Sequence, residues 1–259
     1  MADYETIKYE AADGIGTITM SRPGRRNAMT TQMLVEVHEL LTEIAGDDSV
    51  RVLILTGDER DFCPGADIHR RAEGKAKDVP SQPFHFHVAT LLHEMPQVTI
   101  AAVNGACAGA GFGWACACDI RFASTNAMFN TAFLAVGVAG DMGGPWTLPR
   151  LVGAAKAREL YLFPDKFGAQ EALRIGLVAR VWEEESFHGD VRKAAERLAA
   201  SAPLALRALK ENFVKAESIG LSDYIEFETE QHGRLLASDD SREAFSAYAE
   251  KREPKFSGR

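Results

Sequence analysis

Val98-Thr-Ile-Ala-Ala-Val-Asn-Gly-Ala-Cys-Ala-Gly-Ala-Gly-Phe-Gly-Trp-Ala-Cys-Ala-Cys-Asp-Ile-Arg-Phe-Ala-Ser124 decides the fold. Residues 98–103 form a short apolar run, as in a strand buried on both faces. Asn104-Gly105 breaks it. Gly109, Ala110 and Gly111 carry almost no side chain, and 114–118 reads as a helix of small residues. Residues 120–123 read as a second short strand. The order is strand, glycine-rich turn, buried helix, strand. With so little side chain at the turn, a ligand can reach the peptide N–H groups at the helix start. Those groups carry partial positive charge and suit an anion, including one that exists only during a reaction. Small residues also simply let a helix pack tightly on a sheet. No Gly-Lys-Ser/Thr follows, so the turn is not a P-loop. No acidic residue lies about 20 positions on at a second strand end, so it is not a dinucleotide fingerprint either.

A second segment, Asp61-Phe-Cys-Pro-Gly-Ala-Asp-Ile68, follows the apolar strand at 50–56 and the Gly57-Asp58 turn. Together the two segments resemble the crotonase superfamily, the enoyl-CoA hydratase/isomerase family, and the resemblance runs from about residue 5 to the C-terminus. It implies an α/β fold: a spiral core of repeated ββα turns, with C-terminal helices that mediate trimer contacts. On that basis residues 1–195 are expected to form the core with the acyl-CoA site, and 196–259 a helical region for oligomer contacts. No repeat is visible in the sequence itself.

The resemblance also implies a thioester enolate held by two backbone N–H groups, which by position belong to Ala66 and Ala110. Hydratases of the family place two glutamates about the attacked water, and here Gly113 and Phe133 stand at those positions. Asp141 falls where some enoyl-CoA isomerases carry their acid/base aspartate. The expected activity is therefore enoyl-CoA isomerisation with Asp141 moving the proton. The alternatives are hydration with a non-standard base, acyl-CoA or carbon–carbon bond hydrolysis, and a non-catalytic CoA or RNA binder. Asp141 also reads as a helix cap ahead of Gly143. His69, His85, His87 and His93 lie in or near the variable acyl-pocket wall, where solvated or helix-surface histidines are the plainer reading. Cys63 has no base fixed beside it by sequence.

Coenzyme A is expected only as part of the substrate. Asp67 and Ile68 are placed near adenine, Arg25 and Arg26 near phosphate oxygens, and Tyr248 and Lys251 at the CoA of a neighbouring subunit. The His69–Lys77 basic cluster reads as a solvated loop or a phosphate contact. A homotrimer or a dimer of trimers is expected.

Composition bounds the rest. The chain has 259 residues, 46% of them hydrophobic, with a mean hydropathy of −0.15. This suits a soluble globular protein. Net charge is −8, from 29 Lys+Arg against 37 Asp+Glu, which argues against nucleic acid as a main partner. No apolar run approaches a membrane span, and the N-terminus does not read as a signal peptide. Four cysteines lack ligand spacing with any histidine, so no metal is expected and reduced thiols in a cytoplasmic protein are.

Overall fold

The computed structural model describes residues 4–68 and 82–259. Asp13-Gly14 is a pair that favours a tight hairpin turn, and the chain makes one there. Strands β1 (Ile7–Ala12) and β2 (Ile15–Met20) pair antiparallel, and both turn residues have positive φ, at 55° and 78°, which matches the strand twist. Thr30 caps α1 (Thr31–Ala45) by accepting from the Met33 N–H.

Strands β3 (Val52–Gly57) and β4 (Val98–Val103) are buried at every position. Strands β6 (Ile120–Ser124) and β9 (Arg180–Trp182) extend the same sheet, in the order β1-β2-β3-β4-β6-β9. From β2 onward the pairing is parallel. Alternation along the strands divides the core. Leu53, Leu55, Ala101 and Val103 face one cluster, which includes α1, α2 (Val88–Glu94) and α3 (Ala110–Ala117). Val52, Ile54, Ile100, Ala102 and Phe122 face Phe187, Val191, Ala195 and Ala199 of α7 (Phe187–Ala199). That helix runs across the expected 195/196 boundary, because its apolar stripe covers the sheet to its last turn.

A second sheet, not visible in the sequence, joins β5 (Ala106–Ala108), β7 (Met128–Asn130) and β8 (Phe167–Gly168). Cys63 adds an isolated bridge to Cys107 of β5. Each turn of chain therefore touches both sheets: β3 then Cys63, β4 then β5, β6 then β7. This is the stepped spiral that the family resemblance implies. Two corner glycines permit the steps. A Cβ on Gly57 would lie 1.9 Å from the Asp61 carbonyl oxygen, and one on Gly105 1.7 Å from that of Arg60. No other residue fits at either corner.

After β7 come α4 (Gly144–Val152), α5 (Ala154–Leu162) and α6 (Ala169–Arg174), which precede β9. Helices α8 (Pro203–Ala216), α9 (Leu221–Leu236) and α10 (Asp239–Glu250) follow α7. The Lys210 ammonium pins α8 to the core. It is buried beside Asp119 at 2.9 Å and donates to the carbonyls of Leu92 and Gln97.

Candidate active site

The loop after β3 is stitched on both sides. Cys63 donates to the Ala106 carbonyl at 2.9 Å and accepts from Ala108 N–H at 2.9 Å. On the other side Met29 N–H donates to the Gly65 carbonyl at 2.8 Å, and Asp67 N–H to that of Met29 at 3.0 Å. Met29 and Ala66 are thus a parallel bridge pair. In such a pair the bonds come from the residues flanking Ala66, so its own N–H points away from Met29. Across the gap, Gly109 N–H donates to the Asn130 carbonyl, and α3 opens at Ala110. The helix begins four residues earlier than its composition indicates. Ala110 N–H is therefore one of the first-turn donors left over by helix geometry. Neither the Ala66 nor the Ala110 amide donates to an acceptor among the described residues. The residues just before them touch: a Cβ on Gly109 would lie 3.6 Å from Gly65 Cα. Two free amides from separate loops thus lie on neighbouring segments.

Asp141 approaches from the chain beyond β7. The turn that carries it has positive φ at Gly140 (133°), Met142 (49°) and Gly143 (70°). Left-handed geometry at Met142 is costly for a residue with a side chain. The reason it is held lies in α3. A Cβ on Gly113 would sit 2.7 Å from Met142 Cβ, 3.1 Å from its carbonyl oxygen and 3.4 Å from that of Asp141. The bare face of Gly113 is filled by the Asp141–Met142 backbone. The cap residue of α4 is Gly143, and Asp141 itself is exposed. Phe133 is buried and stacks on Tyr161, with ring centroids 6.2 Å apart and planes at 4°.

Burial, more than the nearby Asp141 charge, pushes the Cys63 thiol up to about 12. Cys63 is no nucleophile at neutral pH. All four cysteines are free and buried.

The Arg26 guanidinium forks onto Asp61 at 2.8 and 3.0 Å. The pair and its hydrogen bonds hold Arg26 above its ordinary range. Asp61 also accepts from Ala106 N–H at 3.1 Å, so the pair fastens the loop before Ala66 to β5. Asp67 is buried and pairs with Arg22 at 2.9 Å. Asn27 donates to the carbonyls of Asp58 and Asp61 and accepts from Arg22 N–H. Arg22 and Asn27 thus support the loop, roles that only long-range contacts disclose. Arg25 and Ile68 are exposed.

The described wall histidines have separate surroundings. His69 and the rest of the basic cluster to Lys77 lie outside the described residues. His85 is buried, with Nδ1 accepting from Gln82 N–H at 3.0 Å. His87 is exposed. His93 pairs with Glu217 at 2.8 Å and lines a cavity of about 430 Å³ with Cys116, Cys118, Trp146 and Lys210. That cavity lies at the far end of α3 from Ala110. Tyr248 and Lys251 are exposed, and among the described residues no hydrogen bond ties either to the Arg25 or Asp67 loops.

A family model described as enoyl-CoA hydratase/isomerase matches residues 10–259. The chain belongs to the enoyl-CoA hydratase/isomerase family. It is 37% identical to a probable enoyl-CoA hydratase of Rhodobacter capsulatus, covering 99% of both chains. It is 33% identical to 1,2-epoxyphenylacetyl-CoA isomerase of Escherichia coli, covering 98% of this chain and 99% of the other. The solved enoyl-CoA hydratase of Bacillus anthracis superposes with a TM-score of 0.91 at 29% identity, covering 98% of this chain and all of that one. The fold is thus the crotonase fold, and the protein is an acyl-CoA enzyme of this family. Relatives named as hydratases and as an isomerase both occur.

Proposed function

We propose that this family member is an enoyl-CoA isomerase in which Asp141 carries the proton. The thioester oxygen of a 3-enoyl-CoA accepts from Ala66 and Ala110 N–H. The Asp141 carboxylate removes a proton from C2, and the electron pair moves through the thioester onto that oxygen. The resulting dienolate takes the same proton back at C4, leaving the 2-enoyl product and the ionised carboxylate. Each amide donor contributes about 3 kcal/mol where such donors have been removed from other enzymes.

The carrying observation is the seat of Asp141. By the family resemblance Gly113 and Phe133 stand at the two hydratase glutamate positions, and Met142 fills the space above Gly113. A carboxylate is thus offered from the turn rather than from α3. With Arg26 committed to Asp61, exposed Arg25 is the remaining guanidinium of that loop to meet the CoA phosphates, with Ile68 beside the adenine. Helices α8–α10 leave Phe213, Leu221, Phe245 and Tyr248 from 67% to 88% exposed. Such apolar exposure supports a homotrimer or a dimer of trimers, in which Tyr248 and Lys251 serve a neighbour's CoA. A cytoplasmic location suits four free thiols.

The test is C2-proton exchange into D2O with 3-hexenoyl-CoA, with and without Asp141→Asn. Exchange is expected to fall at least a hundredfold, as is common when a positioned acid/base group is removed. Undiminished exchange in the variant refutes the assignment. The exposure of Asp141 favours one second reading, hydration with Asp141 directing water. Steady loss of 2-enoyl absorbance in water would select it.

A further inference from the structure

Tyr161 projects from α5 beneath the turn that carries Asp141. A Cβ on Gly144 would lie 1.9 Å from Tyr161 Oη, and one on Gly140 3.8 Å from its Cε1. These two glycines bracket Asp141 and Met142, so the ring is the platform of the turn. Its orientation is fixed from the other side by the parallel Phe133 ring. The hydroxyl is enclosed and has no hydrogen-bond partner among the described residues. An enclosed, unmatched hydroxyl costs stability, and phenylalanine would fill the same space without that cost. Burial, then the Cys116 and Asp141 charges, raise the Tyr161 pKa, so the group is a permanent donor at neutral pH.

We propose that Tyr161 is the positioning residue for Asp141: when substrate engages the turn, its hydroxyl donates to the Asp141 carboxylate and aims the other oxygen at the acyl chain. This rests on the reading of Asp141 as proton carrier. Donation to the ionised form favours it, so the base stays deprotonated to lower pH than it otherwise would.

The experiment compares wild type, Tyr161→Phe and Asp141→Asn by the pH profile of C2-proton exchange in 3-hexenoyl-CoA, with melting temperatures alongside. In Tyr161→Phe the acid limb is expected to move up by about one pH unit, lowering the rate about tenfold below the midpoint. KM should stay unchanged and the melting temperature equal or higher. A purely structural tyrosine would leave the acid limb in place, whatever the melting temperature. If Asp141→Asn is inactive and the Tyr161→Phe profile superimposes on wild type, the role of Tyr161 is overturned while that of Asp141 stands. If Asp141→Asn exchanges at the wild-type rate, both fall.

Discussion

Gly113→Ala tests the seat of Asp141 by adding one methyl group. The new carbon would lie 2.7 Å from Met142 Cβ and 3.1 Å from its carbonyl oxygen. The first is well inside the 3.5–4.0 Å at which carbon atoms pack and the second is a tight carbon–oxygen contact, so the turn must lift by roughly 1 Å at Met142 Cβ. Overpacking of this kind costs about 1–3 kcal/mol, and replacing glycine by alanine inside a helix returns about 1 kcal/mol. The net loss of about 0–2 kcal/mol corresponds to a melting temperature lower by about 0–8 °C for a chain near this size. Activity should suffer far more, because a displacement of about 1 Å at a reacting group costs about a hundredfold. Differential scanning calorimetry and C2-proton exchange on the same preparation separate the two effects. The expected result is a fold retained and an exchange rate down ten- to a hundredfold. Exchange within twofold of wild type would mean that Gly113 does not set the position of Asp141.

Two other perturbations follow from the interior. Arg121 is buried and donates to the carbonyls of Ala115, Cys116, Cys118, Asp119 and Leu177. It thereby caps the C-terminal end of α3. Arg121→Met leaves these oxygens without donors, and the variant should lose about 3 kcal/mol or more, read as a drop of at least about 6 °C in melting temperature. With the Cys63 pKa at about 12, only about one thiol in 10⁴ is ionised at pH 8. Iodoacetamide at that pH should therefore leave native activity intact, and rapid inactivation traced by mass spectrometry to Cys63 would contradict its burial.

Much of this architecture is written locally. The apolar runs of β3 and β4, the Asp13-Gly14 turn and the Thr30 cap are short-range signals, and each forms as its residues dictate. The loops bearing Ala66 and Ala110 were legible only through the pairing of two motifs that resembles a known family, since a glycine-rich turn alone also serves close helix packing. What escaped depends on distance. Strands β5 and β8 are three and two residues long, too brief for any period. The commitment of Arg26 to Asp61 spans 35 positions, and nothing near Arg26 distinguishes a partnered guanidinium from one awaiting phosphate. The contact of Gly113 with Met142 likewise exists only after the spiral has closed. Phe133 and Gly113 can be read as missing carboxylates, but not as the floor on which another carboxylate is set.

The two amides belong to successive coils of the spiral, Ala66 to one and Ala110 to the next. The hydrogen bonds between Cys63 and β5 are the rungs joining those coils. During synthesis, then, nothing resembling a catalytic pocket exists until the chain beyond β5 has emerged from the ribosome and laid itself against the earlier coil. Fragments ending before Ala106 should be inert however well their hairpin and first helix form. The paired amides arrive together with the second coil, and the proposed proton carrier Asp141 only with the turn beyond β7.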